Sequence, residues 1–396
     1  MRKGIIGAII GDIAGSSHEA KPVTRESFKL FNKQSTITDD TVLTAAVAEW
    51  LLNRETTTIE DSLRKWANDY PHAGYGSSFK RFLKSEAGSS LGSTHNGAVM
   101  RVSPVGYIAN SIEECMALAK ESALPSHNSE VAIKAAQATA VAIFLAREGK
   151  SKAEIRDYIE REFGYDLHTS YEELKAEIRA ARANRNELTR YASHERIVGA
   201  GTSVQDALVA FLTGVSYEDV IRKAICLGGD ADTEAAIAGG IAAAYYGVPE
   251  EIIEASLLYI PSDILALVNQ VDGSDWKPSK LIPPKSGRWS RHDVVICATN
   301  EDDTLGERAF RLTQPSRFNR HYNLGYPIIF DSPRVPLDEQ LFLIRAKCES
   351  SKDFRWHLHD IGIESGKMTI EEFRSTFAWA LELDNVLVTE TLLNER

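Results

Sequence analysis

The sequence predicts an all-α domain over residues 1–275, a linker over 276–287 and a small α/β or α+β domain over 288–396. Patterns that cap helix N-termini recur through the first part, and Ala-rich amphipathic runs follow several of them. The composition then shifts near Asp272.

The chain opens with Met1, Arg2 and Lys3 and an apolar run to Ile10, which imitates a signal peptide. The run is short and Asp12 follows at once, so a cytoplasmic location is expected instead. Further on, Ser111 pairs with Glu114, Ser151 with Glu154 and Ser170 with Glu173. Each pair places a hydroxyl at a helix start and a carboxylate three residues later, where both meet unpaired backbone N–H groups. Runs 131–145, 204–212 and 234–246 are rich in alanine, whose small side chain lets helices approach closely. Residues 171–190 are heavily charged and read as a solvated helix. Past Asp272, Gly273, Ser274, Pro278, Pro283 and Pro284 mark the linker. Runs 294–298, 328–330 and 341–346 have strand character, and 370–383 reads as a helix capped by Thr369 and Glu372.

Charge narrows the partners. Lys+Arg number 45 against 56 Asp+Glu, for a formal net charge of −11, which argues against strong general nucleic-acid binding. No segment reaches the roughly 18 unbroken apolar residues of a membrane span. Cys115, Cys226, Cys297 and Cys348 form no Cys-x-x-Cys pair and read as reduced thiols.

Two acidic clusters about 190 residues apart each open an apolar helix. The first is Thr38, Asp39, Asp40 and Thr41, and the second is Gly228, Gly229, Asp230, Ala231, Asp232 and Thr233. Capping accounts for either one alone. Together they exceed what caps need, because adjacent carboxylates repel and are costly to bury unless they are paired or hold a metal. Asp230 and Asp232 reach one cation from a loop or first turn, with the Thr233 hydroxyl as a further ligand. Oxygen ligands of this kind suit Mg²⁺, Mn²⁺ or Ca²⁺ rather than Zn²⁺.

Three weaker motifs accompany them. Gly11, Asp12 and Gly15, followed by Glu19, read either as a tight turn beside a ligand or as a helix-packing glycine pair. The small polar loop Ser93, Thr94, His95, Asn96 and Gly97 offers backbone N–H groups to phosphates. Ser126, His127 and Asn128 precede an Ala-rich helix, where a histidine is more often a structural hydrogen-bonder than a catalyst.

In this order the five motifs resemble the ADP-ribosylglycohydrolase family over residues 1 to about 270. The resemblance implies an all-α fold and hydrolysis of the glycosidic bond at C1″ of ADP-ribose. It also implies two Mg²⁺ (or Mn²⁺) ions held by Thr38, Asp39, Asp40, Asp230, Asp232 and Thr233. Glu19, Asp39 and Asp232 are the implied catalytic residues. Ser93, His95, Asn96, Gly97, His127, Gly228 and Gly229 are the implied substrate contacts. His95 departs from the family pattern, which has glycine there, and its ring either crowds the diphosphate or adds a hydrogen bond to it. The implied partner is an ADP-ribosylated substrate, protein foremost, with the C-terminal domain as a docking module for partner or substrate. A metal-dependent nucleotide phosphohydrolase and a non-catalytic ADP-ribose reader are the competing expectations. In the C-terminal part, His357, His359 and Asp360 suggest a second metal site only weakly.

Overall fold

The computed structural model describes residues 3–277 apart from Ala20, Lys33 and residues 185–189. The expected linker beyond Lys277, the C-terminal domain and its strand-like runs lie outside the described residues. Those described are helical, without a strand; two isolated bridges join Gly92 to His127 and His95 to Gly199.

The chain begins with α1 (Ile6–Ser16), and a long irregular segment leads to α2 (Asp39–Leu52). Then come α3 (Ile59–Asp69), α4 (Ser77–Lys84), a single 3₁₀ turn at Asn96–Ala98, α5 (Ser103–Ile108) and α6 (Ile112–Ala123). The middle of the chain forms α7 (Glu130–Arg147), α8 (Lys152–Phe163), α9 (Tyr171–Ala183) and α10 (Arg190–Val198). The remainder is α11 (Ala200–Thr213), α12 (Tyr217–Leu227), α13 (Ala231–Tyr246), α14 (Glu250–Ser256) and α15 (Ser262–Asp272).

The capping patterns act as the sequence predicts. Ser151 and Ser170 open α8 and α9 with complete reciprocal capping boxes. Ser111 caps α6 through the Glu114 N–H, but the Glu114 carboxylate turns to the Asn110 N–H instead of closing a box. The three Ala-rich runs become α7, α11 and α13. Of these α13 is the most enclosed, with every residue from Ala231 to Ala244 buried. The charged run forms α9, which buries Leu174 and Ile178 and exposes most of the rest.

Helix α1 settles the reading of the first glycine motif. Residues 11–15 are helical rather than a turn, and Gly11 and Gly15 are packing glycines. A Cβ on Gly11 would lie 2.0 Å from the Ala235 carbonyl oxygen, and one on Gly15 2.3 Å from that of Ala231. The backbones of α1 and α13 therefore touch, which only glycine permits. This crossing sets Asp12 beside the N-terminus of α13. The apolar run at the start of the chain is the buried body of α1, with Ile6, Ile9, Ile10 and Ile13 at most 1% exposed. Asp272 on α15 secures its first turn, accepting from the Ile5 and Ile6 N–H groups at 2.8 and 3.1 Å.

Cys115 and Cys226 are free and buried. No helix among the described residues is long and apolar enough to cross a membrane.

Candidate functional site

Thr38 is the N-cap of α2, its hydroxyl accepting from the Asp40 N–H at 3.2 Å. This puts Asp39 and Asp40 in the first turn, where the helix dipole favours negative charge. Asp12 of α1 then grips the same turn. One of its oxygens accepts from the Thr38 hydroxyl at 2.8 Å. The other accepts from the Thr38 N–H at 2.9 Å, the Thr41 N–H at 3.1 Å and the Thr41 hydroxyl at 2.5 Å. Asp12 is fully buried, and burial pushes its carboxyl up to about 6 despite these four donors.

The second cluster lies where α12 ends and α13 begins. Gly228 closes α12 with φ +83°, a left-handed conformation suited to glycine. Asp230 is the N-cap of α13, and Asp232 and Thr233 are buried in its first turn. Gly228 and Gly229 are buried, and both carbonyls accept from Arg182 of α9, the Gly229 bond measuring 2.5 Å.

The two clusters meet. The Thr233 hydroxyl lies close enough to Asp40 to lower its carboxyl, and Gly15 of α1 packs against the backbone of Ala231 and Asp232 while Asp12 holds Thr38 and Thr41. Burial, then Asp12 and Asp39, push the Asp40 carboxyl well above the usual range. Burial, then Asp230 and Asp40, do the same to Asp232. Asp39 rises to about 7, first through burial and then through Asp12. Asp39, Asp40 and Asp232 are thus each raised by neighbouring carboxyls, as like charges crowded at one centre are. Among the described residues no three His, Cys, Asp or Glu side chains converge closely enough, as they stand, to hold a metal ion. The donor set nonetheless suits a hard cation. It is all oxygen, and Asp40 Oδ1 is buried without a hydrogen-bond partner.

The other expected residues surround this centre. Asn96 donates from its side-chain amide to Asp230 Oδ2 at 2.8 Å and to the Ser203 hydroxyl at 3.2 Å. It therefore ties the small polar loop to the second acidic cluster. Ser93 and Gly97 are partly exposed on that loop. A Cβ on Gly97 would come within 2.9 Å of the His127 ring. His127 is buried, bonded through Nδ1 to the Ser126 hydroxyl at 2.8 Å and kept neutral by its burial. Packed against Gly97, it shapes the loop from below. The half-buried His95 ring lies 5.1 Å from that of His194 on α10. Glu19 is exposed beside the cluster, close enough to Asp230 and Asp12 for both to raise its carboxyl after desolvation.

The sequence reading missed three contributors. Asp12 was read only as part of the glycine motif, with no role of its own; its signal was its place between two packing glycines, next to Gly11 and three residues before Gly15. Arg182 sat in a helix read as solvated, and no local pattern marks it. Its guanidinium spans the Gly228 and Gly229 carbonyls and also reaches the Glu19 carbonyl at 3.4 Å. Glu234 was counted as the start of an Ala-rich run, yet it is fully buried and accepts from the Asp230 N–H. A glutamate inside such an apolar run is itself a signal.

The ADP-ribosylglycohydrolase family profile matches residues 1–278. ADP-ribosylhydrolase ARH3 of Homo sapiens is 29% identical over 329 residues, covering 66% of this chain and 90% of that protein. ARH3 of Mus musculus is 27% identical over 334 residues, covering 66% and 88%. The uncharacterised protein YegU of Escherichia coli (strain K12) is 30% identical over 249 residues, covering 55% and 73%. On this match, and with both acidic motifs at a single centre, the chain belongs to the ADP-ribosylglycohydrolase family.

Proposed function

We propose that the helical domain hydrolyses the glycosidic bond at C1″ of ADP-ribose in ADP-ribosylated substrates, protein foremost. One observation carries the reading: α1 brings the two acidic clusters to one centre, Asp12 bonding Thr38 and Thr41 while Gly15 packs against the backbone of Ala231 and Asp232. The relatives named ADP-ribosylhydrolases support it.

Two Mg²⁺ or Mn²⁺ ions would be held by Asp39, Asp40, Asp230 and Asp232 with the Thr38 and Thr233 hydroxyls. Bound there, such ions would supply orientation of the sugar hydroxyls and a more acidic water at neutral pH. The chain's own residues do the rest. Cleavage at C1″ passes through an oxocarbenium-like state with positive charge on the ribose, which the surrounding carboxylates offset. Glu19, which is exposed beside the centre, would exchange a proton with the leaving group or with water. Asp39 and Asp232 are the alternative carriers of that proton. Ser93, His95 and Gly97 present the small loop to the diphosphate, while Asn96 keeps that loop in register with Asp230.

The test is release of free ADP-ribose from an ADP-ribosylated protein, with Mg²⁺ or with a chelator. Wild type should release it only with the metal. Asp40→Ala and Asp230→Ala should each slow release on the order of 100-fold or more. Undiminished turnover by either variant refutes the cation's role. AMP or phosphate as the product refutes glycosidic cleavage.

A further inference from the structure

The opening of α13 departs from ordinary capping. Asp230 is the N-cap, yet its carboxylate accepts nothing from the first N–H groups of its own helix. Asn96 holds that carboxylate instead. The backbone of Asp230 is secured by Glu234, whose Oε1 accepts from the Asp230 N–H at 3.2 Å. Glu234 is 0% exposed, and among the described residues no N–H or hydroxyl donor reaches its Oε2. It lies beside the carboxyl of Asp206 on α11, also buried, which raises it by like charge after burial does. Arg196 of α10 in turn grips both Asp206 oxygens at 2.7 and 3.0 Å.

Gly229 makes independent room for this arrangement. A Cβ there would lie 1.8 Å from Glu234 Oε1, so the glutamate occupies space that any other residue at 229 would fill. Burying a carboxyl and an ion pair to satisfy one N–H is costly where a hydroxyl would serve as cap. What the arrangement achieves is separation of tasks. Glu234 fixes the Asp230 backbone, and the Asp230 side chain stays clear of the helix end.

We propose that Glu234 is the positioning residue for Asp230, braced by Asp206 and Arg196, and that this brace leaves the Asp230 carboxylate aimed at a divalent cation. The proposal rests on Asp230 being a cation ligand.

It is tested by titrating the full chain with Mn²⁺ alone and following free Mn²⁺ by electron paramagnetic resonance, with Tm measured in chelator alongside. Asp230→Ala reports the ligand assignment and should weaken Mn²⁺ binding most. Glu234→Ala should weaken it about 10-fold. Glu234→Gln should recover most of that loss, since its amide still offers an oxygen to the Asp230 N–H. Gly229→Ala should weaken binding in the wild-type background and add nothing to Glu234→Ala. Wild-type affinity in Glu234→Ala overturns the proposal, as does a Gln variant no better than Ala. If Asp230→Ala binds Mn²⁺ like wild type, the ligand assignment itself has failed, which is a different result. If Glu234→Ala does not fold, Arg196→Ala gives the same readout from the more exposed end of the brace. Its Mn²⁺ affinity should fall by a smaller factor, and an unchanged affinity overturns the proposal.

Discussion

Helices α2 and α13 open on the same kind of acidic sequence, but the protein holds the two openings in different ways. At α2 the support is concentrated. Asp12 alone accepts four hydrogen bonds from Thr38 and Thr41. At α13 it is distributed. Asn96 takes the Asp230 side chain, Glu234 its N–H, and Arg182 the two preceding carbonyls. A concentrated support fails at one substitution, whereas a distributed one degrades in steps.

The largest effect should therefore come from Asp12. Asp12→Ala leaves four donors without their acceptor, and ADP-ribose release should fall about 100-fold, the upper range for residues that orient metal ligands. Arg182→Ala removes one support of several and should cost about 10-fold in kcat. Rates of the two variants under one assay decide the matter. Equal losses would mean that α13 is no better shared than α2.

A third opening extends the comparison away from the centre. Asp272 holds the first turn of α1 as Asp12 holds that of α2. Burial pushes the Asp272 carboxyl up to about 7 against the two N–H groups that lower it. A raised carboxyl binds a proton in the folded state that the unfolded chain has already released. Asp272 therefore subtracts stability progressively as pH rises from about 4 to about 7. Asp272→Asn should flatten that part of the Tm-against-pH curve relative to wild type, with little change in turnover. Parallel curves for the two proteins would show that Asp272 does not titrate there.

Much of this was legible in the sequence because it is encoded locally. Ser151 with Glu154 and Ser170 with Glu173 announce α8 and α9, since a capping box needs only four consecutive residues. The paired aspartates stood out because carboxylates so close together need a reason. What holds them in place was not legible, because it comes from elsewhere in the chain. Arg182 lies 46 and 47 residues from the carbonyls it binds, and Asp12 lies 26 and 29 from its threonines. The glycine motif shows the same limit. Gly11 looked equally apt for a turn until the Ala235 carbonyl stood where its Cβ would be. At Gly229, likewise, the group that stands where a Cβ would be is Glu234, from one turn into the next helix.

The backbone contact between α1 and α13 also has a consequence for the order in which the molecule is made. A ribosome delivers α1 more than 200 residues ahead of α13. Through that interval Gly11 and Gly15 have no opposing chain to lie against. Closing so long a span is an entropic cost met late in folding. The nascent polypeptide thus carries a greasy helix in waiting, and the acidic centre that α1 helps to build can assemble only once α13 itself has emerged.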